Sequence, residues 1–270
     1  MVEICQPGEI EALALKGLIG YTGFVGGTLC RRQTFDKLYN SSNISQIEGQ
    51  TFDTLVCAGA PAVKWQANKH PEADLKNLLS LAGHLEKVTA HHFVLISTVD
   101  VYPHPVGVDE DSTIDQSQLQ PYGRHRHMFE SRIRAKFPNA LIVRLPGLFG
   151  KGLKKNPIYD LMHDNALELL HCDSRMQFYN LENLDADIER AAAAALKLVN
   201  FATEPVTIRN IARECFDRDF SNSPTSTPAK YDMQTKHAAT FDKQGRYLYS
   251  ARYTYEHIRK FVCTEMASSI

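Results

Sequence analysis

Residues 15–28 read Leu15-Lys16-Gly17-Leu18-Ile19-Gly20-Tyr21-Thr22-Gly23-Phe24-Val25-Gly26-Gly27-Thr28, and this stretch decides the fold. A short apolar run ends on Gly20, and glycines then recur at Gly20, Gly23 and Gly26 in the spacing G-x-x-G-x-x-G. A strand, a tight turn and a helix account for that order. One glycine permits the sharp turn, one removes a side chain so that backbone can approach a pyrophosphate, and the last lets helix and strand pack closely. A phosphate group would then meet the free N–H groups and positive dipole end of the helix that starts at Phe24 and Val25. The turn therefore reads as a dinucleotide site with Gly20, Gly23, Phe24, Val25 and Gly26 as binding residues. A purely structural glycine turn is the competing reading.

Outward from the turn, strand and helix signals alternate. Residues 54–58 form a strong strand signal closed by Gly59-Ala60-Pro61, and residues 34–39 a weaker one. Behind Pro71, which suits a first helical turn, Leu75, Leu78, Leu79, Leu81, Ala82 and Leu85 recur near helical spacing over residues 71–88. Residues 93–96 and 141–145 are continuous apolar runs, as in strands covered on both faces. Residues 122–137 suit a helix that stops before Pro138. This alternation predicts an α/β fold, a Rossmann-type doubly wound parallel sheet. The pattern loosens after Gly150. We expect a dinucleotide-binding domain over 1–150 and a smaller substrate-binding part over 151–270, interleaved with the sheet. Within the latter, residues 185–201 read as an Ala-rich helix and residues 221–228 as a mobile loop.

Composition narrows the function. The 270 residues are 43% apolar and 23% charged, enough for a sizeable core. Lys and Arg number 30 against 31 acids, a formal charge of -1, so nothing draws the whole chain toward nucleic acid or an anionic membrane. No apolar run approaches the roughly 18 residues of a membrane span. Glu3, Pro7, Glu9 and Glu11 do not suit a signal peptide. The six Cys form no C-x-x-C pair and no zinc spacing, so they read as reduced thiols of a cytoplasmic protein without a metal site. His91-His92 reads as an exposed turn, and Trp65, Tyr247, Tyr249, Tyr253 and Tyr255 as packing residues.

An acid about twenty residues past the glycine turn would grip the adenosine ribose of NAD. At that place stand Asn40, Ser41, Ser42 and Asn43, without a carboxylate, while Asp36 lies too near the start of the strand. Asn40, Ser41 and Ser42 can donate to a 2′-phosphate, and Arg31 and Arg32 can add charge. The coenzyme expected is NADP, with NAD possible; the same residues also suit plain loop polars and helix-end cations.

Two further blocks carry a resemblance. Val94-Leu95-Ile96-Ser97-Thr98-Val99-Asp100-Val101-Tyr102 ends a strand on hydroxyl residues, and Pro121-Tyr122-Gly123-Arg124-His125-Arg126 opens a helix. With the glycine turn and Arg144-Leu145-Pro146-Gly147-Leu148-Phe149-Gly150, the chain resembles the extended short-chain dehydrogenase/reductases, the NAD(P)-dependent epimerase/dehydratase family, over most of residues 15–150. A fainter echo runs through residues 175–184. The resemblance implies that Thr98 is the active-site hydroxyl, Tyr122 the catalytic phenol, and Arg126 the counterpart of the family's Lys. Ala58, Gly59 and Ala60 would pass along the coenzyme, Asn77 is the nearest candidate for a family Asn, and a homodimer is a family expectation.

The chemistry of these residue types fits those roles. Tyr122 and Arg126 stand four apart and share a helix face. A fixed cation lowers a phenol's pKa from about 10, so the tuned Tyr could pass a proton to a carbonyl oxygen. On this reading Arg126→Lys keeps or raises activity. Where dehydratases of the family carry an acidic pair after the Thr, this chain has Val99 and Asp100, so ketoreduction or epimerisation is expected instead. Asp100 reads as an additional base or as a turn residue. In the second half, Lys155 and Arg175 suit a diphosphate, with Asn156 and Tyr179 reading sugar or base. The expected activity is an NAD(P)-dependent oxidoreductase or epimerase acting on a sugar nucleotide or related carbonyl compound. A non-catalytic NADP(H)-binding sensor or partner protein of the same fold is the alternative.

Overall fold

In the computed structural model, which describes residues 14–267, side chains of the strand Leu141–Leu145 alternate between two cores. Leu141, Val143 and Leu145 join one apolar cluster and Ile142 the other. The strand Thr89–Thr98 does the same, with Val94 and Ile96 on one side and Phe93 and Leu95 on the other. A two-residue side-chain period turns a continuous apolar run into two buried faces, so helices must cover both. The sheet has six strands: β1 (Lys16–Ile19), β2 (Lys37–Tyr39), β3 (Thr51–Cys57), β4 (Thr89–Thr98), β5 (Leu141–Leu145) and β6 (Leu198–Asn200). Their order is β6-β5-β4-β3-β1-β2, with every pair parallel. The doubly wound parallel sheet is as the sequence predicts.

Five helices frame the site: α1 (Phe24–Arg32), α2 (Lys64–Lys69), α3 (Pro71–Leu85), α4 (Pro121–Lys136) and α5 (Pro157–His163). From β1 the chain first goes outward to β2 and then returns to β3 on the other side of β1. The order therefore reverses between β1 and β3, where a doubly wound sheet opens a crevice beyond the carboxyl ends of its strands. A buried ion pair fixes α4 on the sheet. Arg144 of β5, 2% exposed, reaches Glu130 of α4 at 2.6 and 3.0 Å, and Ser97 of β4 donates to the same carboxylate at 2.6 Å.

Several sequence expectations change. The Ala-rich helix ends at Ala193 instead of running to Phe201. Ala192 to Ala195 are exposed and offer no apolar stripe, Ala195 adopts φ 52°, and Val199 is then buried as β6 pairs with β5. His91 and His92 lie within β4, not in a turn, though exposed. Trp65 is 66% exposed and is not a packing residue. Residues 221–228 form neither helix nor strand, yet Asn222 Nδ2 donates to the carbonyls of Leu167, Glu168 and Leu170 and its own carbonyl accepts from Cys172. The readings placed on Glu3, Cys5, Pro7, Glu9 and Glu11 fall outside the described residues. Among those described, no helix is long and apolar enough to cross a membrane.

Candidate functional site

The glycine turn lies at the β1/β3 reversal. Gly20 has φ 89°, its N–H donates to Tyr39 O at 2.7 Å, and a Cβ there would lie 2.4 Å from Ala58 O. Gly23 N–H donates to Gly20 O at 3.0 Å, and a Cβ on Gly26 would fall 2.1 Å from that same oxygen. No residue but glycine fits either place. Gly59 is less tight, with a Cβ meeting the Ile19 Cγ2 methyl at 2.8 Å. The Gly20 turn and the segment Ala58-Gly59-Ala60 thus lie against each other. Helix α1 begins after Gly23 with no side-chain cap and no acid in its first turn, which leaves N–H donors beside the turn. Phe24 and Val25 are half-buried against the core behind it.

Beyond β2, the Asn40 loop closes on itself. Asn40 Oδ1 accepts from Ser42 N–H at 2.9 Å and Ser42 Oγ at 2.6 Å, and Asn40 Nδ2 donates to the Tyr21 hydroxyl at 3.2 Å. Ser41 is exposed. Asp36 accepts from Lys16 N–H at 2.7 Å, at the opposite end of the strands. Arg32 pairs with Asp185 and Glu182, which answer its charge, while Arg31 binds only the neutral Thr28 Oγ1 and Lys151 O.

Thr98 and Tyr122 come together at the end of β4. Asn68 of α2 accepts the Tyr122 N–H at 2.9 Å, which satisfies a free donor at the start of α4. Gly123 lets that helix end press against the Asp100 turn, since a Cβ would lie 2.0 Å from Asp100 O. Thr98 Oγ1 accepts the Asp100 N–H at 3.2 Å. Burial pushes the Tyr122 phenol above its ordinary 10.0, and Asp100 pushes the same way, while Arg126, a hydrogen bond with Thr98 and Lys64 pull down without prevailing. Arg126 lowers the phenol as expected, but burial outweighs it and the net shift is upward.

Arg126 lies over the Tyr122 ring, its guanidinium carbon 3.9 Å from the ring centroid. The group is 3% exposed and forks onto both carboxylate oxygens of Asp74 in α3, with further bonds to Pro61 O and Tyr122 O. Arg126 Nε has no partner among the described residues. His125 Nδ1 also reaches Asp74, at 2.7 Å. Burial raises the Asp74 carboxyl, but bonds from Arg126 and His125 and their charge outweigh it and hold it below 3.8.

On the other side of Asp100, Lys64 Nζ donates to Asp100 Oδ1 at 2.7 Å and to the Tyr231 hydroxyl at 3.2 Å. Lys155 Nζ donates to Ala62 O at 2.8 Å, so it too reaches the segment leaving β3, and burial lowers its ammonium's pKa. Asn156 instead caps α5, accepting from Ile158 and Tyr159 N–H and donating to Leu148 O. Arg175 is exposed, and its carbonyl accepts the Tyr231 N–H at 2.9 Å. Tyr179 cannot read a ligand, for it is fully buried and donates to Asp187 at 2.6 Å. The sequence reading missed Lys64, Asn68, Asp74, Gly123 and Tyr231. Only Gly123, beside the quoted Tyr122, left a local signal. His171, Cys172 and Asp173 bring possible metal-ligand atoms within 4.8 Å of one another, but Arg209 donates to the sulfur and to Asp173.

The architecture is shared with solved structures. An NAD-dependent NDP-hexosamine 5,6-dehydratase involved in tunicamycin biosynthesis superposes with a TM-score of 0.71 at 15% identity, covering 93% of this chain and 97% of that one. A dTDP-4-dehydrorhamnose reductase from Bacillus anthracis, in complex with NADP, gives a TM-score of 0.71 at 16% identity over 93% and 98%. A UDP-glucose 4-epimerase from Thermotoga maritima, with UDP-glucose, gives 0.67 at 12% over 94% and 99%. No family model and no curated protein matches the chain. At these identities the likeness shows the fold alone, a Rossmann-type α/β architecture.

Proposed function

We propose that the chain is an NAD(P)-dependent reductase or epimerase acting on the carbonyl group of a sugar nucleotide or related compound, with Tyr122 as proton donor and acceptor. One observation carries this reading: Thr98, Asp100 and Tyr122 converge at the carboxyl end of β4, in the same parallel sheet whose β1 ends in the glycine turn. The turn suits a dinucleotide, because glycines stand where a Cβ would strike backbone and the first N–H groups of α1 are uncapped. Gly20, Gly23, Phe24, Val25, Gly26, Ala58, Gly59 and Ala60 would hold it, and a bound nicotinamide coenzyme supplies or accepts hydride. NADP is favoured over NAD because residues 40–43 carry no carboxylate to repel a 2′-phosphate.

The remaining chemistry belongs to the chain. The raised phenol stays protonated at neutral pH and so serves as a donor to a carbonyl oxygen. Thr98 orients that oxygen through its hydroxyl. On this reading the second half of the chain supplies the substrate side, with Asp100, Lys155 and Arg175 as the binding residues and Asn156 as the cap that sets the start of α5. The locked Arg126 favours a second reading, a coenzyme-binding sensor without turnover.

Fluorescence titration should show NADPH bound more tightly than NADH. Hydride exchange on a panel of nucleoside-diphosphate keto-sugars should fall about 10²- to 10⁴-fold in Tyr122→Phe. Reduction should stay flat through neutral pH and decline only above 10.0, the phenol's ordinary value. Coenzyme binding with no exchange across the panel would leave the sensor; no coenzyme binding at all would end both readings.

A further inference from the structure

Asp100 is a carboxylate held beside a buried phenol, and the cation over that phenol's ring does not answer it. Arg126 lies on the ring face of Tyr122, and both oxygens of Asp74 take its charge. The cation on Asp100 is Lys64, which opens α2 on the segment leaving β3, 36 residues away. Its ammonium donates to Asp100 Oδ1 at 2.7 Å and to Tyr231 at 3.2 Å, and the Tyr231 hydroxyl stands 3.2 Å from the same carboxylate oxygen. Tyr231 belongs to the second half of the chain and is tied to Arg175 through its N–H. Three segments far apart in sequence thus close a triangle on one oxygen atom, and Gly123 holds the start of α4 against the same turn.

We propose that Lys64 is a positioning residue for the proton chemistry of Tyr122: it fixes and neutralises Asp100 beside the phenol, and Tyr231 couples that arrangement to the second half of the chain. The proposal rests on Tyr122 being the proton-transfer group. The groups facing Tyr122 are Arg126 on its own helix, Thr98 at the end of β4, Asp100 just past it, and Lys64 from α2, with Asp74 of α3 behind Arg126 and Tyr231 behind Lys64. An anion there raises a phenol's pKa and a cation lowers it, so Lys64 acts in two ways, directly and by cancelling Asp100. The directions found for Tyr122 agree: Asp100 raises, Lys64 lowers. Without Lys64 the phenol would face an unpaired carboxylate and hold its proton more tightly.

The test is a carbon-13 nuclear magnetic resonance titration of the full-length protein with labelled tyrosine ζ carbons, in which Tyr122→Phe assigns the signal. Lys64→Met should move the Tyr122 midpoint upward, and Lys64→Arg should return it toward wild type. Asp100→Asn, which leaves a lone ammonium near the phenol, should move it downward. The double variant Lys64→Met with Asp100→Asn should fall between the two singles. A Tyr122 midpoint unchanged in Lys64→Met overturns the proposal. If Lys64→Met does not fold, Asp100→Asn decides alone, and a midpoint that stays or rises overturns it. The titration needs no substrate, so absence of turnover would defeat the proposed enzyme while leaving this electrostatic result standing.

Discussion

The glycine turn and the Tyr122 cluster lie at the same end of the sheet but are held by different forces. Backbone holds the first: Gly20 donates to Tyr39 O, Gly23 to Gly20 O, and Gly26 presses on that same carbonyl. Side-chain charge holds the second, with Asp74 forked by Arg126 and Asp100 bridged by Lys64 and Tyr231. The difference means that the turn should be sensitive to added atoms and indifferent to pH. The cluster should be sensitive to charge.

The largest effect expected is at Asp74, 6% exposed. Asp74→Ala strands the guanidinium of Arg126 in a buried place, and losing one partner of a buried pair costs about 3–5 kcal/mol. Urea unfolding measures it, and a loss within the error of the method would show that the pair carries no strain when broken. The same carboxylate has a pH signature. Its folded pKa is held below the unfolded 3.8, so its contribution is present above 3.8 and is lost as pH falls through the lower folded value. Wild type and Asp74→Asn should therefore converge in stability at strongly acid pH.

Next comes Gly26→Ala. The added methyl would sit 2.1 Å from a carbonyl oxygen that cannot yield without opening the turn, which costs about 3 kcal/mol and takes coenzyme binding with it. This loss should be the same at pH 6 and pH 8. A loss that varied with pH would blur the contrast between the two regions.

Arg126→Lys should cost about 2 kcal/mol, because an ammonium cannot make the two-pronged bond to Asp74 and still reach Pro61 O. That is a cost in stability; the sequence expectation that the substitution keeps or raises activity is read separately, as a rate of hydride exchange. The smallest effect sharpens the comparison from inside the turn. Gly27 neighbours Gly26 in α1, but a Cβ there would meet Tyr21 O at an ordinary 3.5 Å. Gly27→Ala should stabilise by about 0.5–1 kcal/mol through helix propensity, read as a higher thermal midpoint.

The parallel sheet was legible because its information is local. Alternating burial along residues 93–96 and 141–145 shows as an unbroken apolar run, and the glycine turn shows as spacing. Thr98 and Tyr122 stood out through the resemblance of their two blocks to a known family. The edge strand β6 was not, since Ala residues continue to favour helix until packing of Val199 beside β5 decides otherwise. Nor was the fate of Tyr179, Asn156 and Arg32, each of which looks free in sequence and is bonded within the chain.

By itself the sequence determined the α/β architecture, the place of the glycine turn and the helix that carries Tyr122, because strand period, helix period and glycine spacing are written in consecutive residues. Tertiary structure decided which cation answers which carboxylate. Asp74 takes Arg126 and Asp100 takes Lys64 because Coulomb attraction depends on distance in space. Those distances are set only once β3, β4, α3 and α4 have packed.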